Sequence, residues 1–141
     1  MGPFFQGPSR LGRPSKESPL VFRLETDRSR NRLHLTMSGH PNAKDAFDCA
    51  SAAMAELSRL RAGFDVIVDV SGLASLSDIC LPHVERLMAF LVTNGVGRVV
   101  RVCGPLPDVI LRLERHARVQ GYAAHLATSV AEAEALLDGG R

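Results

Sequence analysis

From Leu20 onward the chain switches repeatedly between two hydrophobic periods, and this alternation limits the folds open to it more than any motif does. Leu20, Phe22 and Leu24 alternate with Val21, Arg23 and Glu25, and Leu33, Leu35 and Met37 alternate with Arg32, His34 and Thr36. A period of two places successive side chains on opposite faces of a strand. The short polar stretch 27–31 between the two runs suits an antiparallel hairpin. Residues 42–62 then carry Ala46, Phe47, Ala50, Met54, Leu57 and Leu60 at helical spacing, with Gly63 as the stop. Further along, the pattern predicts a strand at 64–70, a helix within 78–94, a strand at 96–103, a helix at 106–120, a short strand at 123–127 and a closing helix at 129–137. Strands and helices that alternate over short connections predict an α/β fold, its strands from Phe64 onward parallel and joined by right-handed crossovers.

Charge inside the strands selects among α/β architectures. Strands covered on both faces read as continuous Val, Ile and Leu, yet Arg23, Glu25, Arg32, His34, Asp65 and Arg101 fall at alternate strand positions. The expectation is a mixed sheet of about five strands with helices mainly on one face and the other face wet. Ile67 interrupts the polar pattern on that second face and leaves room for partial cover.

At 141 residues, 45% of them hydrophobic, the chain suits one core that folds without staples. Residues 1–19 hold four Pro and three Gly with no strand or helix period, and are expected to form a flexible Gly/Pro-rich tail ahead of a domain at 20–141. Cys49, Cys80 and Cys103 are odd in number and widely spaced, which fits a reducing cytoplasm better than a disulfide framework. No apolar run approaches the ~20 residues that cross a bilayer, and no secretory signal pattern opens the chain. The net charge of +2 conceals an asymmetry: residues 1–32 carry seven Lys/Arg against three Asp/Glu, and residues 33–141 carry ten against twelve. A near-neutral folded part lacks the concentrated basic face that nucleic acid requires.

In parallel α/β proteins, functional residues gather where strand carboxyl ends meet helix N-termini. The loops at that edge are expected at 38–41, 71–80 and 104–108, and near Thr128. The second is the most suggestive, because Asp69-Val70-Ser71-Gly72-Leu73 leads into Ser75-Leu76-Ser77-Asp78-Ile79-Cys80-Leu81, a serine-rich entry to a helix. No G-x-G-x-x-G, P-loop or H-E-x-x-H motif occurs. Cys80, His83 and Cys103 could be drawn together as a metal or thiol site, but zinc sites use two close ligand pairs and only Cys80 with His83 is closely spaced. Cys80 and Cys103 read instead as small buried apolar residues. Arg112, Arg115, His116 and Arg118 mark the polar side of the 106–120 helix, a solvated face or a surface for an acidic partner.

The order of these stretches resembles the STAS domain, the sulfate-transporter and anti-sigma-factor-antagonist module, over about residues 20–137. Leu35-Thr36-Met37-Ser38-Gly39, Val66-Ile67-Val68-Asp69-Val70, Gly104-Pro105 and Ser129-Val130-Ala131-Glu132-Ala133 carry the resemblance. It implies a regulatory binding role without catalysis, metal or cofactor. The implied partner is an anti-sigma factor or a related serine kinase, met through Ser71, Ser75, Ser77, Asp78, Ile79 and His83. Antagonists of that family are phosphorylated on a serine within Asp-Ser-Ser-Gly-Leu, and here the segment reads Ser77-Asp78-Ile79-Cys80-Leu81, with aspartate at the acceptor position. A carboxylate there is either a helix cap or a fixed stand-in for a phosphate, which carries more charge and more acceptor oxygens. Ser75 and Ser77 remain candidate acceptors. Pairing into a homodimer through the open sheet face stays open, and a small apolar ligand is the alternative role that the resemblance implies.

Overall fold

The computed structural model describes residues 21–104 and 107–139; the segment 1–19, expected as a tail, lies outside the described residues. Strands β1 (Val21–Asp27) and β2 (Arg32–Gly39) form the antiparallel hairpin. Helix α1 (Ala43–Leu57) leads to β3 (Asp65–Leu73), and a 3-10 turn at Asp78–Cys80 runs into α2 (Leu81–Thr93). Strand β4 (Val99–Val102), α3 (Pro107–Gln120), β5 (His125–Ala127) and α4 (Val130–Gly139) follow. The strands lie in the sheet in chain order, with β2 to β5 mutually parallel. The expected fold class, a mixed five-stranded sheet with helices mainly on one face, is the one observed.

Strand order accounts for the layering. Three successive crossovers that advance in one direction with one hand must place their helices on one side. Accordingly α1, α2 and α3 share a core with Leu33, Leu35, Val66, Val70 and Val99. Among the described residues, helix α4 follows the last strand and leads to no further one, so the crossover rule does not bind it. It lies on the opposite face, where Ala133 and Leu137 close over Ile67, Val100 and Val102. Ile67, the residue that broke the polar pattern, is the one α4 covers.

That helix overturns part of the wet-face expectation. Arg23 and Glu25 are exposed, but Arg32, Asp65 and Arg101 are buried. Arg32 donates to Glu134 and, at 2.9 Å, to Asp138 on α4, while His34 Nε2 stands 2.6 Å from Glu134. Asp65 accepts the Arg98 backbone N–H at 2.9 Å. Arg101 is on the other face, under α3, paired with Glu114. Charge at alternate strand positions here marks ion pairs to overlying helices as often as it marks water, since a buried charge persists only when paired.

Helix α1 ends five residues before the expected limit. Asn42 caps its start by accepting the Asp45 N–H at 2.7 Å. At its end the Ser58 hydroxyl donates to the Met54 carbonyl, and Asn31 in the hairpin turn exchanges two hydrogen bonds with the Arg61 backbone. These contacts divert the chain toward Gly63, whose φ of +89° suits a residue without a side chain. Phe47, read as part of the buried stripe, is 47% exposed, and Ala46, Cys49, Ala50, Ala53 and Leu57 form the inward face instead.

Candidate functional site

Strand β3 continues to Leu73, beyond the expected end at Val70, because the end of β2 keeps pairing with it past an irregularity between Thr36 and Ser38. Gly72 passes so close to β2 that a Cβ there would stand 2.8 Å from the Cβ of Ser38. The Ala74 N–H then donates to the Gly39 carbonyl at 2.9 Å, and residues 74–77 cross the sheet edge without regular structure. Leu73, Leu76 and Cys80 point inward and are buried, while Ser71, Ser77, Asp78 and Ile79 are exposed and Ser75 and His83 are half-buried. Three apolar anchors thus hold the segment down, and the residues between them face outward.

Each polar side chain of the segment has a defined partner. Ser71 donates its hydroxyl to Asp69 Oδ1 at 2.6 Å and its backbone N–H to the same oxygen at 3.0 Å. Ser75 Oγ lies 3.0 Å from His40 Nδ1, and Ser77 Oγ lies 3.6 Å from the Cys80 thiol. The Cys80 thiol in turn donates to the Pro41 carbonyl at 3.4 Å. Asp78 is no α-helix cap: it opens the 3-10 turn, α2 starts at Leu81, and the carboxylate pairs with Arg112 of α3. Arg112 also donates to the Leu76 carbonyl at 2.6 Å. Even so, the Asp78 side chain keeps 90% of its exposure.

Beside the turn lies an apolar and cationic surface. Ile79 is 62% exposed. The His83 ring meets Phe47 edge-on, with centroids 5.7 Å apart at 83°. The Arg86 guanidinium stands 4.8 Å from the Phe47 ring centroid, within cation–π range. Sequence reasoning placed Phe47 in the core and left Arg86 unmentioned. Of the polar residues on α3, Arg112 holds Asp78 and His116 pairs with Glu85 of α2, while Arg115 and Arg118 are exposed.

The structure does not bring Cys80, His83 and Cys103 together as a site. Cys80 faces Pro41, His83 faces Phe47, and Cys103 donates to the Arg101 carbonyl at 3.5 Å. Among the described residues, no three His, Cys, Asp or Glu side chains are grouped to hold a metal ion. Burial pushes the Cys49 thiol up to about 12, and burial also raises Cys103, so neither is a ready thiolate.

Beneath the turn, between the sheet and the helices, is a cavity of about 80 Å³. Leu35 and Val68 form its floor, Ala50, Leu87 and Met88 its roof, and Leu76 and Cys80 its wall toward the turn.

This strand order and helix layout are those that the resemblance to STAS domains implies. Among solved structures the chain is similar to the protein TM1081, determined by NMR, with a TM-score of 0.60 and 14% identity over 94% of this chain and 98% of that one. It is also similar to the STAS-domain antisigma-factor antagonist from Rhodobacter sphaeroides, with a TM-score of 0.45 and 16% identity over 60% of this chain and 86% of that one. At these identities the likeness is one of fold. The sequence matches no protein-family model and no curated protein. Among the described residues, no helix is long and apolar enough to cross a membrane.

Proposed function

We propose that this chain is a non-enzymatic regulatory domain of the STAS family that works by docking a protein partner at the turn after β3. The observation that carries this reading is the outward presentation of Asp78 and Ile79 on a segment anchored from below, with Arg112 fixing the carboxylate from α3. An exposed apolar residue beside an oriented charge supplies the two components of a specific interface, burial and register. The proposed partner is an anti-sigma factor or a related serine kinase, in a bacterial cytoplasm, acting on transcription. Asp78 occupies the position at which antagonists of this family carry the phosphoacceptor serine. A permanent carboxylate there holds one charge state, so the domain binds its partner without a phosphorylation cycle at that position.

The test is a pull-down from the native cell extract with the wild-type chain and with Asp78→Arg, each checked for folding by circular dichroism. The reading expects one specific partner kinase or anti-sigma factor to be lost with the charge reversal. Equal recovery from both proteins would refute it. Phosphate located on Ser75 or Ser77 after coexpression with that kinase would move the switch to the neighbouring hydroxyls. A second reading, binding of a small apolar ligand, is favoured by the cavity under the same turn.

A further inference from the structure

We infer that residues 1–19, which lie outside the described residues, fold back over the carboxyl edge of the sheet and cover Phe47 and Ile79. The point at which they join the domain carries the inference. Val21 opens β1 opposite Ser38, and Ser38 pairs with Gly72 just ahead of the turn, so the segment enters at the edge that displays Asp78 and Ile79. Two strand spacings of about 5 Å each separate β1 from β3. Phe5 precedes Val21 by 16 positions, a length of chain that reaches up to about 50 Å. The whole edge is within its range.

Charge and apolar surface match on the two sides. The segment holds Arg10, Arg13 and Lys16 against Glu17, with Phe4, Phe5 and Leu11 as its large apolar residues. Residues 38–48, 69–80 and 103–108 at the edge hold Asp45, Asp48, Asp69, Asp78 and Asp108 against Lys44. Lys44 engages Asp48, and Arg112 reaches Asp78 from α3, which still leaves the edge acidic. Asp45 gives an independent sign, because its Oδ2 is buried without a hydrogen-bond partner among the described residues. It lies about three helical turns from Glu56, which accepts from Thr26 of β1 at 2.8 Å, so it stands on the flank of α1 over the start of β1. That is where the segment arrives, and a buried carboxylate oxygen calls for a donor such as arginine or lysine provides. Phe47 is 47% exposed and Ile79 62%, and phenylalanines laid across them remove apolar surface of both from water. The consequence rests on the proposed docking at the turn: a chain folded in this way covers its own interface, and the segment must lift before a partner binds.

The experiment is NMR of the isotope-labelled full chain as wild type, as Phe4→Ser with Phe5→Ser, and as Arg10→Glu with Arg13→Glu and Lys16→Glu. Both variants should shift the amides at 45–48 and 78–83 and leave those of β4 and α4 in place. The Ile79 methyl should gain relaxation from a soluble gadolinium chelate once the segment is released. Unmoved amides at 45–48 and 78–83, or an Ile79 methyl equally open to the chelate in all three chains, overturn the inference. Shifts that fade on dilution place the segment on a second copy and overturn the fold-back within one chain. These readings need no partner and stand apart from the pull-down: a segment that docks while Asp78→Arg leaves partner recovery unchanged refutes the docking role and keeps the contact.

Discussion

The Arg112 guanidinium bridges two points of one turn, the Leu76 carbonyl and the Asp78 carboxylate, from a helix 34 residues further along the chain. The bridge explains how a segment without regular structure holds a fixed shape. The inward side chains anchor it from below, and a single cation clamps it from the side.

Removing the clamp should loosen the turn more than it destabilises the fold. Arg112→Ala gives up a charge-assisted bond to a carbonyl and a pair with an exposed carboxylate, together worth about 1 kcal/mol. Amide exchange at 76–80 is expected to accelerate while exchange in β3 and β4 stays slow. Unchanged exchange across the turn would show that the buried anchors alone set its shape.

The α4 contacts predict an asymmetry between two kinds of substitution. Glu134→Ala leaves the buried Arg32 guanidinium with Asp138 as its remaining acidic contact, at a cost on the order of 2 kcal/mol. Arg32→Met combined with Glu134→Leu replaces the pair by apolar volume and should lie within about 1 kcal/mol of the wild type. Urea denaturation of both variants checks the ordering, and the prediction fails if the double variant is the less stable.

Acid should act on two carboxylates at the chain surface. The Ser29 hydroxyl, with the Arg30 backbone N–H and guanidinium, holds Asp27 down at about 2 from the usual 3.8. Thr128, through its N–H and hydroxyl, lowers Glu132, which opens α4 opposite the capping Ser129. A depressed folded value means that each group stabilises fully above its unfolded value and loses that contribution as the pH falls through the folded one. Asp27→Asn should therefore lower stability across the neutral range by the contribution the ionised carboxylate supplies, and flatten the profile between about pH 4 and pH 2, where that contribution is lost in the wild type. Carboxyl NMR titration of the wild type reads both values directly.

Thiol labelling should rank the cysteines by burial. Cys49 is 3% exposed with its thiol raised to about 12, and Cys80 is fully buried, whereas Cys103 is partly accessible. With iodoacetamide at pH 8, Cys103 is expected to react ahead of the other two, as shown by peptide mass spectrometry. First labelling at Cys49 would mean that α1 opens readily.

The period-two runs at 20–24 and 33–37 disclosed the hairpin, and the strand-helix alternation disclosed the parallel sheet, because both patterns are local. The side on which a helix lands is not local. Arg32 and Arg101 look alike in sequence, each a charge in an apolar strand, yet one is buried under α4 and the other under α3. Only the acids at 134 and 114 separate the two cases, and nothing near either arginine announces them. At the candidate site, the position of the loop after β3 and the family resemblance together suggested the segment from Ser71 to His83, and neither carried any sign of the clamp. Arg112 was visible as a cation on a polar helix face, and its reach to Asp78 depends on how α3 packs. The cavity left no trace in the sequence, since its walls read as ordinary core.

The partners of Arg32 lie 102 and 106 residues further along the chain. During synthesis, the hairpin strand therefore emerges with a guanidinium whose acids follow only after another 102 and 106 residues. Until then, β2 must keep that end hydrated and cannot seal its outer side. The domain can complete its interior only once α4 has been made, and a product cut short before residue 134 would carry an unmatched charge, a mark of incompleteness on which quality control acts.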